Sequence, residues 1–193
     1  MAAVMHILVG LPCSGKTTLA RQIESETGAV RFSPDEWQLF LFGHDMNHPD
    51  HDARHTRVEE LMRKVAIQLL RQGVSVIYDF GFWSVRERDE MRTLARKLGV
   101  EFRMHYLATP LEEIYRRMDL RNASGRDDIF VFSREDLAQW LPYWQPPLPD
   151  EEGCQFVLPG GGATRRRPLR GAAAAADFIL QYLFPPDLRR RPA

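Results

Sequence analysis

The chain has 193 residues, 44% hydrophobic and 27% charged, and its 26 lysines and arginines balance 26 aspartates and glutamates. That length suits one α/β domain with a substantial core, and the even balance excludes a general electrostatic pull toward nucleic acid while leaving room for a local basic groove. Cys13 and Cys154 make neither a disulfide framework nor a metal-ligand spacing, no run approaches about twenty uninterrupted apolar residues, and the first residues enter a strand without a signal-peptide pattern, so a reduced, cytoplasmic setting with no membrane is expected.

Val4, Ile7, Leu8 and Val9 read as a buried strand. It runs into Gly10-Leu11-Pro12-Cys13-Ser14-Gly15-Lys16-Thr17, which fits G-x-x-x-x-G-K-[ST], and Thr18, Leu19, Ala20 and Ile23 open a helix directly after it. In that setting glycines let backbone N–H groups converge on a phosphate and the helix N-terminus adds partial positive charge. The lysine reaches the β- and γ-phosphates, and the Thr17 hydroxyl can hold Mg2+. Nucleotide binding through Gly10, Pro12, Cys13, Ser14, Gly15, Lys16, Thr17 and Thr18 is expected, with ATP as the nucleotide and GTP not excluded. Cys13 is read as a small residue that fits the loop, with a lowered thiol pKa as the alternative.

The first helix ends near Gly28, and Ala29 to Phe32 reads as a second strand. Ser33-Pro34-Asp35-Glu36 then starts a helix, with Ser33 as N-cap, Pro34 in the first turn and Glu36 closing a capping box. The helix stops at Gly43. His44, Asp45, His48, Asp50, His51, Asp52 and His55 form a polar insertion over about 43–55, expected to contact an acceptor or simply to be solvated, with a metal site the weaker alternative. Val58, Leu61, Met62, Val65, Leu69 and Leu70 make the next helix amphipathic up to Gly73.

Val74 to Asp79 reads as a strand ending in an acid, the form of a Walker B element; Asp79 is expected to hold Mg2+ with Thr17, the alternative being a cap on the next turn. Ser84 and Glu87 box another helix, ending at Gly99. Residues 101–108 form a strand, and Thr109-Pro110-Leu111-Glu112 repeats the cap-and-proline signal. The helix that follows carries Arg116, Arg117 and Arg121, and a polar loop runs on through Asp128. Arg117 and Arg121 suit the negative charge of a transferring phosphoryl group, or equally a solvated helix end.

Ser133 to Trp144 reads as a shorter helix, with Trp140, Tyr143 and Trp144 packing in the core rather than flooring a pocket. Pro146 to Pro149 is a stiff connector. Gln155 to Leu158 is a candidate last strand, Gly160 to Arg170 an arginine-rich loop, Gly171 to Phe184 an alanine-rich helix, and 185–193 a frayed tail. Strands alternating with helices imply a parallel sheet covered on both faces. Ligands then sit beyond the carboxyl ends of the strands, so Asp35, Asp79 and the 116–121 arginines should converge near Lys16. An attacking hydroxyl needs a carboxylate to orient it and take its proton, and Asp35 is the best candidate.

Gly10–Thr17, Ser33-Pro34-Asp35-Glu36-Trp37, Val76-Ile77-Tyr78-Asp79 and Arg117 with Arg121-Asn122 together resemble the small P-loop kinases that group polynucleotide 5′-hydroxyl kinases, zeta-toxin-like kinases and chloramphenicol phosphotransferase, many of whose members carry an AAA family ATPase label. The resemblance covers about residues 4–150. It implies a three-layer P-loop fold, with five parallel strands and the phosphate-loop strand central. It also implies a catalytic Asp, which maps to Asp35, working with Lys16, and lid arginines, which map to Arg117 and Arg121 in a lid over about 117–133. Polynucleotide kinases carry an arginine shortly after the catalytic Asp; Gln38 and Leu39 stand there in this chain, which favours a small acceptor. Asp35, Trp37, Gln38, Asp79, Trp83 and Arg86 are the expected acceptor contacts.

The expectation is a single kinase domain over 1–184 that moves the γ-phosphoryl group of ATP, with Mg2+, to a hydroxyl of a metabolite, sugar derivative or antibiotic. Two competitors remain. A polynucleotide 5′-hydroxyl kinase would draw a basic groove from Arg86, Arg88 and Arg165 to Arg167; a non-kinase switch would hydrolyse ATP without transferring it.

Overall fold

Apolar strands that alternate with amphipathic helices can bury both faces of a sheet only if the sheet is parallel and the helices cross over it. The computed structural model describes residues 2–43, 48–148, 151–157 and 166–167, and has this architecture. The strands are β1 (Val4–Val9), β2 (Val30–Phe32), β3 (Val76–Tyr78), β4 (Glu101–Leu107), β5 (Cys154–Val157) and β6 (Arg166–Arg167). Their order in the sheet is β2-β3-β1-β4-β5-β6, with β1 to β5 parallel and the phosphate-loop strand inside. The sixth strand corrects the expected loop at this point: Arg166–Arg167 pairs antiparallel with Phe156–Val157. His44, Asp45, Arg165, the helix expected over 171–184 and the tail 185–193 lie outside the described residues.

The helices are α1 (Lys16–Thr27), α2 (Pro34–Phe42), α3 (His51–Arg71), α4 (Val85–Leu98), α5 (Leu111–Asn122) and α6 (Arg134–Trp140). Strand alternation sorts the core. Met5, Ile7 and Val9 pack with Val58, Met62, Ala66 and Leu70 of α3 and with Met91 and Ala95 of α4. Leu8, Ile77 and Leu107 meet Leu19, Ala20 and Ile23 of α1. A third cluster joins Leu11 of the phosphate loop to Leu111, Ile114 and Met118 of α5, with Phe132 and Leu137 closing it. Trp144 belongs to this packing, its ring 6.1 Å from those of Trp83 and Tyr106, whereas Tyr143 is exposed.

Local signals hold in places and are overridden in others. Ser84 and Glu87 form the expected capping box on α4. Ser33 is the N-cap residue of α2 but makes no side-chain cap, because Glu36 is drawn to Arg21 at 2.9 Å and Arg31 at 2.8 Å. Thr109 does not cap α5, which starts from Pro110; its hydroxyl donates instead to the Ser14 carbonyl at 3.0 Å. The expected insertion over 43–55 is shorter as a loop, since His51 to His55 already form the first turn of α3 behind Asp50.

The connector after α6 is fastened to the body by arginines. Arg88 is 0% exposed. Its guanidinium donates to both Glu151 carboxylate oxygens, at 2.7 and 3.1 Å, and to the carbonyls of Phe82, Trp83 and Gln145. Arg92 adds a bond to Glu151 at 2.7 Å. Among the described residues no helix is long and apolar enough to cross a membrane.

Candidate active site

The turn from β1 into α1 bends through residues whose backbone only small side chains tolerate. Gly15 has φ 104° and Cys13 φ 61°. A Cβ on Gly10 would stand 2.6 Å from Ser14 Oγ and 3.2 Å from the Leu107 carbonyl oxygen, so the loop closes over itself only because none is there. Pro12 to Thr18 line a cavity of about 1000 Å³; Gly10 stays behind them and accepts a hydrogen bond from Lys16 Nζ at 3.0 Å. Lys16 also donates to the Leu11 carbonyl at 2.9 Å. Burial lowers the Lys16 pKa, and Asp79 and Asp35 oppose that shift by attraction.

Asp79 follows β3 and is buried beside Lys16. Burial raises its pKa against the pull of Lys16, a hydrogen bond with Thr17 and the nearby Arg31, whose Nη1 lies 3.5 Å from Oδ2. A shielded carboxylate joined to a threonine hydroxyl is a hard oxygen donor set, which fits Mg2+.

Asp35 sits in the first turn of α2 and lines the same cavity. The wall around it works to raise its pKa, but His55, whose Nε2 is 3.4 Å from Oδ1, together with Lys16 and Arg121, holds the carboxyl below its ordinary value. With its side chain 64% exposed, solvent screens these attractions. His55 is raised in turn: burial lowers it, while Asp35, Glu59 and Asp52 outweigh that.

From the other flank α5 supplies the arginines. Arg117 donates to the Ser14 carbonyl at 3.0 Å and to Glu113 at 2.6 Å. Arg121 reaches the Cys13 thiol at 3.7 Å and lies over the Phe132 ring. Arg116 points away, paired with Glu113. Asn122 ties the loop back by donating to the Phe132 carbonyl at 2.8 Å, and Arg126, Asp128, Phe130 and Trp140 also line the cavity. Trp140 thus combines core packing with a place at the cavity wall.

The cavity therefore brings together Asp35, Asp79, Trp83, Lys16, Arg117 and Arg121. Three expected acceptor contacts lie elsewhere. Trp37 packs against Phe32, with ring centroids 6.3 Å apart. Gln38 is buried and donates to the His51 carbonyl at 3.3 Å. Arg86 is 88% exposed and pairs with Glu90. Arg88, turned inward as a structural clamp, is likewise absent from any groove. Of the insertion expected to contact an acceptor, His51, Asp52 and His55 line the cavity, and Glu59 and Arg63 of α3, not singled out from the sequence, join them together with the capping Glu87 of α4. Their signal was a polar row at i, i+4 and i+8, three positions before the buried stripe Val58, Met62, Ala66.

A parallel sheet with the phosphate-loop strand inside, the loop itself, and an arginine-bearing helix leaning on it define the P-loop kinase fold. Residues 5–147 match the AAA domain family model, and the chain belongs to that family. Among solved structures, a candidate kinase from Chloroflexus aurantiacus aligns over 95% of this chain and 100% of its own, at 17% identity and TM-score 0.65. Chaetomium thermophilum Kti12 with ADP-AlF3 aligns over 94% of this chain and 100% of its own, at 16% identity and TM-score 0.63. The Pnkp1/Rnl/Hen1 RNA repair complex aligns at 25% identity and TM-score 0.56, over 72% of this chain and 42% of that one. A comparison with curated proteins finds no match.

Proposed function

We propose that the protein is an ATP-dependent phosphotransferase that moves the γ-phosphoryl group to a hydroxyl of a small molecule, within one domain over 1–184 whose lid spans about 117–133. The observation that carries this reading is that Asp35 shares one cavity with Lys16, Asp79 and the α5 arginines, so that a carboxylate faces the place where a triphosphate would end. The acceptor hydroxyl, held by Asp35, passes its proton to that carboxylate as its oxygen bonds to the γ-phosphorus. The bond from γ-phosphorus to the bridging oxygen breaks, and ADP leaves. Lys16, Arg117 and Arg121 stabilise the charge that shifts onto the phosphoryl oxygens. Mg2+, held through Thr17 and Asp79, would neutralise charge on the β- and γ-phosphate oxygens. The two free cysteines among the described residues suit a reduced cytoplasmic setting.

Screening hydroxylated metabolites, sugars, antibiotics and oligonucleotides with γ-labelled ATP tests the proposal. With the acceptor found, Asp35→Asn should cut kcat by about 10²–10⁴-fold while ATP affinity holds. Normal transfer by that variant would remove Asp35 from the role of base. The likeness to the RNA repair complex, at 25% identity, favours a polynucleotide 5′-hydroxyl kinase as the second reading. It predicts oligonucleotide binding that weakens steeply with salt.

A further inference from the structure

The acceptor half of the cavity contains a guanidinium whose buried Nε has no hydrogen-bond partner among the described residues. On α3, His55, Glu59 and Arg63 follow one another at four-residue steps and all line the cavity. His55 lies 3.4 Å from Asp35 and 3.6 Å from Glu59, so the first two members are engaged with each other. Arg63 feels the Glu59 charge only at a distance: its Nε is shielded from solvent without a hydrogen-bond partner, and among the described residues it makes no ion pair. Other cations of the cavity have partners, Lys16 in two loop carbonyls, Arg21 in Glu36, Arg117 in Ser14 and Glu113, Arg126 in Asp128, and Arg121 more weakly in the Cys13 thiol and the Phe132 ring. A second donor without a partner lies within the electrostatic reach of Arg63, the hydroxyl of the buried Tyr78.

Donors withdrawn from water without acceptors are costly, and a ligand that brings the acceptors recovers that cost. The planar fork of a guanidinium matches the paired oxygens of a carboxylate or a phosphate. Eight residues of α-helix separate Arg63 from His55, a rise of about 12 Å.

We propose that Arg63 is the binding site for an anionic group of the acceptor, a carboxylate or phosphate, set off from the reacting hydroxyl by roughly 8–12 Å. This rests on the reading in which Asp35 holds that hydroxyl. The acceptor is thus an acidic hydroxyl compound, and a neutral sugar or antibiotic of the same size is discriminated against.

The test is calorimetric and does not depend on turnover. The full chain is saturated with AMPPNP and Mg2+, which fills the phosphate loop, and is titrated with inorganic phosphate and separately with acetate. Wild type should bind at least one of the two. Arg63→Met should weaken that binding by about tenfold or more, and Arg63→Lys, which keeps the charge but not the fork, should fall between. Binding of phosphate alone assigns a phosphoryl-bearing acceptor, and of acetate also a carboxylate. Asp35→Asn should bind the probe as wild type does, so loss of the base assignment and loss of this site are separate results. Should Arg63→Met fail to fold, Arg63→Lys alone decides. Equal affinity in wild type and the Arg63 variants, or no binding of either probe at tens of millimolar, overturns the proposal.

Discussion

Replacing Glu151 by Ala should destabilise the fold far more than the loss of an ordinary carboxylate. Glu151 receives two bonds from Arg88 and one from Arg92, all between 2.7 and 3.1 Å, and Arg88 is 0% exposed. Without the carboxylate, three carbonyls still face the guanidinium, but its charge remains out of water with no counter-charge. Breaking a buried pair from one side costs about 3–5 kcal/mol, and the surviving carbonyls place this case near the lower end. At about 2–4 °C per kcal/mol for a chain of this size, Tm should fall by about 6–12 °C. Urea and thermal unfolding followed by circular dichroism read the change. Arg88→Met combined with Glu151→Leu should recover at least half of it, since apolar replacements of buried pairs are near neutral. The two arginines, against the effect of burial, hold the Glu151 carboxyl below its ordinary value near 4.5. A depressed carboxyl stabilises the fold above its unfolded value and loses that contribution as pH falls through the folded one. Wild type should therefore show an added loss of stability below about pH 4.5 that Glu151→Gln lacks. A cost under about 1 kcal/mol for Glu151→Ala, the level of a solvated pair, would refute the reasoning.

His55→Ala should move the acid limb of the kcat/KM profile to higher pH, because His55 lowers the Asp35 carboxyl; an unchanged limb would separate the two residues. Gly10→Ala should weaken AMPPNP binding by about tenfold or more through the 2.6 Å approach of its Cβ to Ser14 Oγ, and equilibrium dialysis measures it. Burial pushes the Cys154 thiol up to about 12, leaving about 10⁻⁴ of it as thiolate at pH 8. Iodoacetamide followed by mass spectrometry should label Cys13 first, and MgATP should protect Cys13.

What could be read from the sequence was what short stretches decide. Gly10–Thr17 forms its loop because the glycines and the helix start act within a few residues, and the Ser84–Glu87 box closes for the same reason. Ser33 and Thr109 carry the same local signals, yet tertiary partners outbid the caps: Arg21 and Arg31 take Glu36, and Ser14 takes the Thr109 hydroxyl. Arg88 looked like any arginine at a helix start because its partner Glu151 lies 63 positions on. Gln38, one helix turn beyond Pro34, was expected at the acceptor, but α3 begins early enough for His51 to hold it inside. In the polar row of α3, His55 was legible as the end of the insertion, but Glu59 and Arg63 were hidden because a helix with one buried stripe normally solvates everything beside it. Only the packing of α3 on the sheet turns that row toward the cavity.

The sheet order β2-β3-β1-β4 separates two jobs by geography. Everything that meets the proposed acceptor enters from the β2 and β3 side, through α2, α3 and the loop after Asp79. The arginines that lean on the phosphate loop come from the β4 side, through α5. The shared strand β1 is the only boundary between them in the sheet. The two sides still meet at a few points, since the Gly81 carbonyl accepts from Gly10 N at 3.4 Å, Trp83 packs on the cluster of Leu11 and Ile114, and the His51 ring lies 5.4 Å from that of Phe130. A library meant to retune the proposed acceptor while sparing the nucleotide machinery therefore belongs at Glu59 and Arg63 rather than at 80–83.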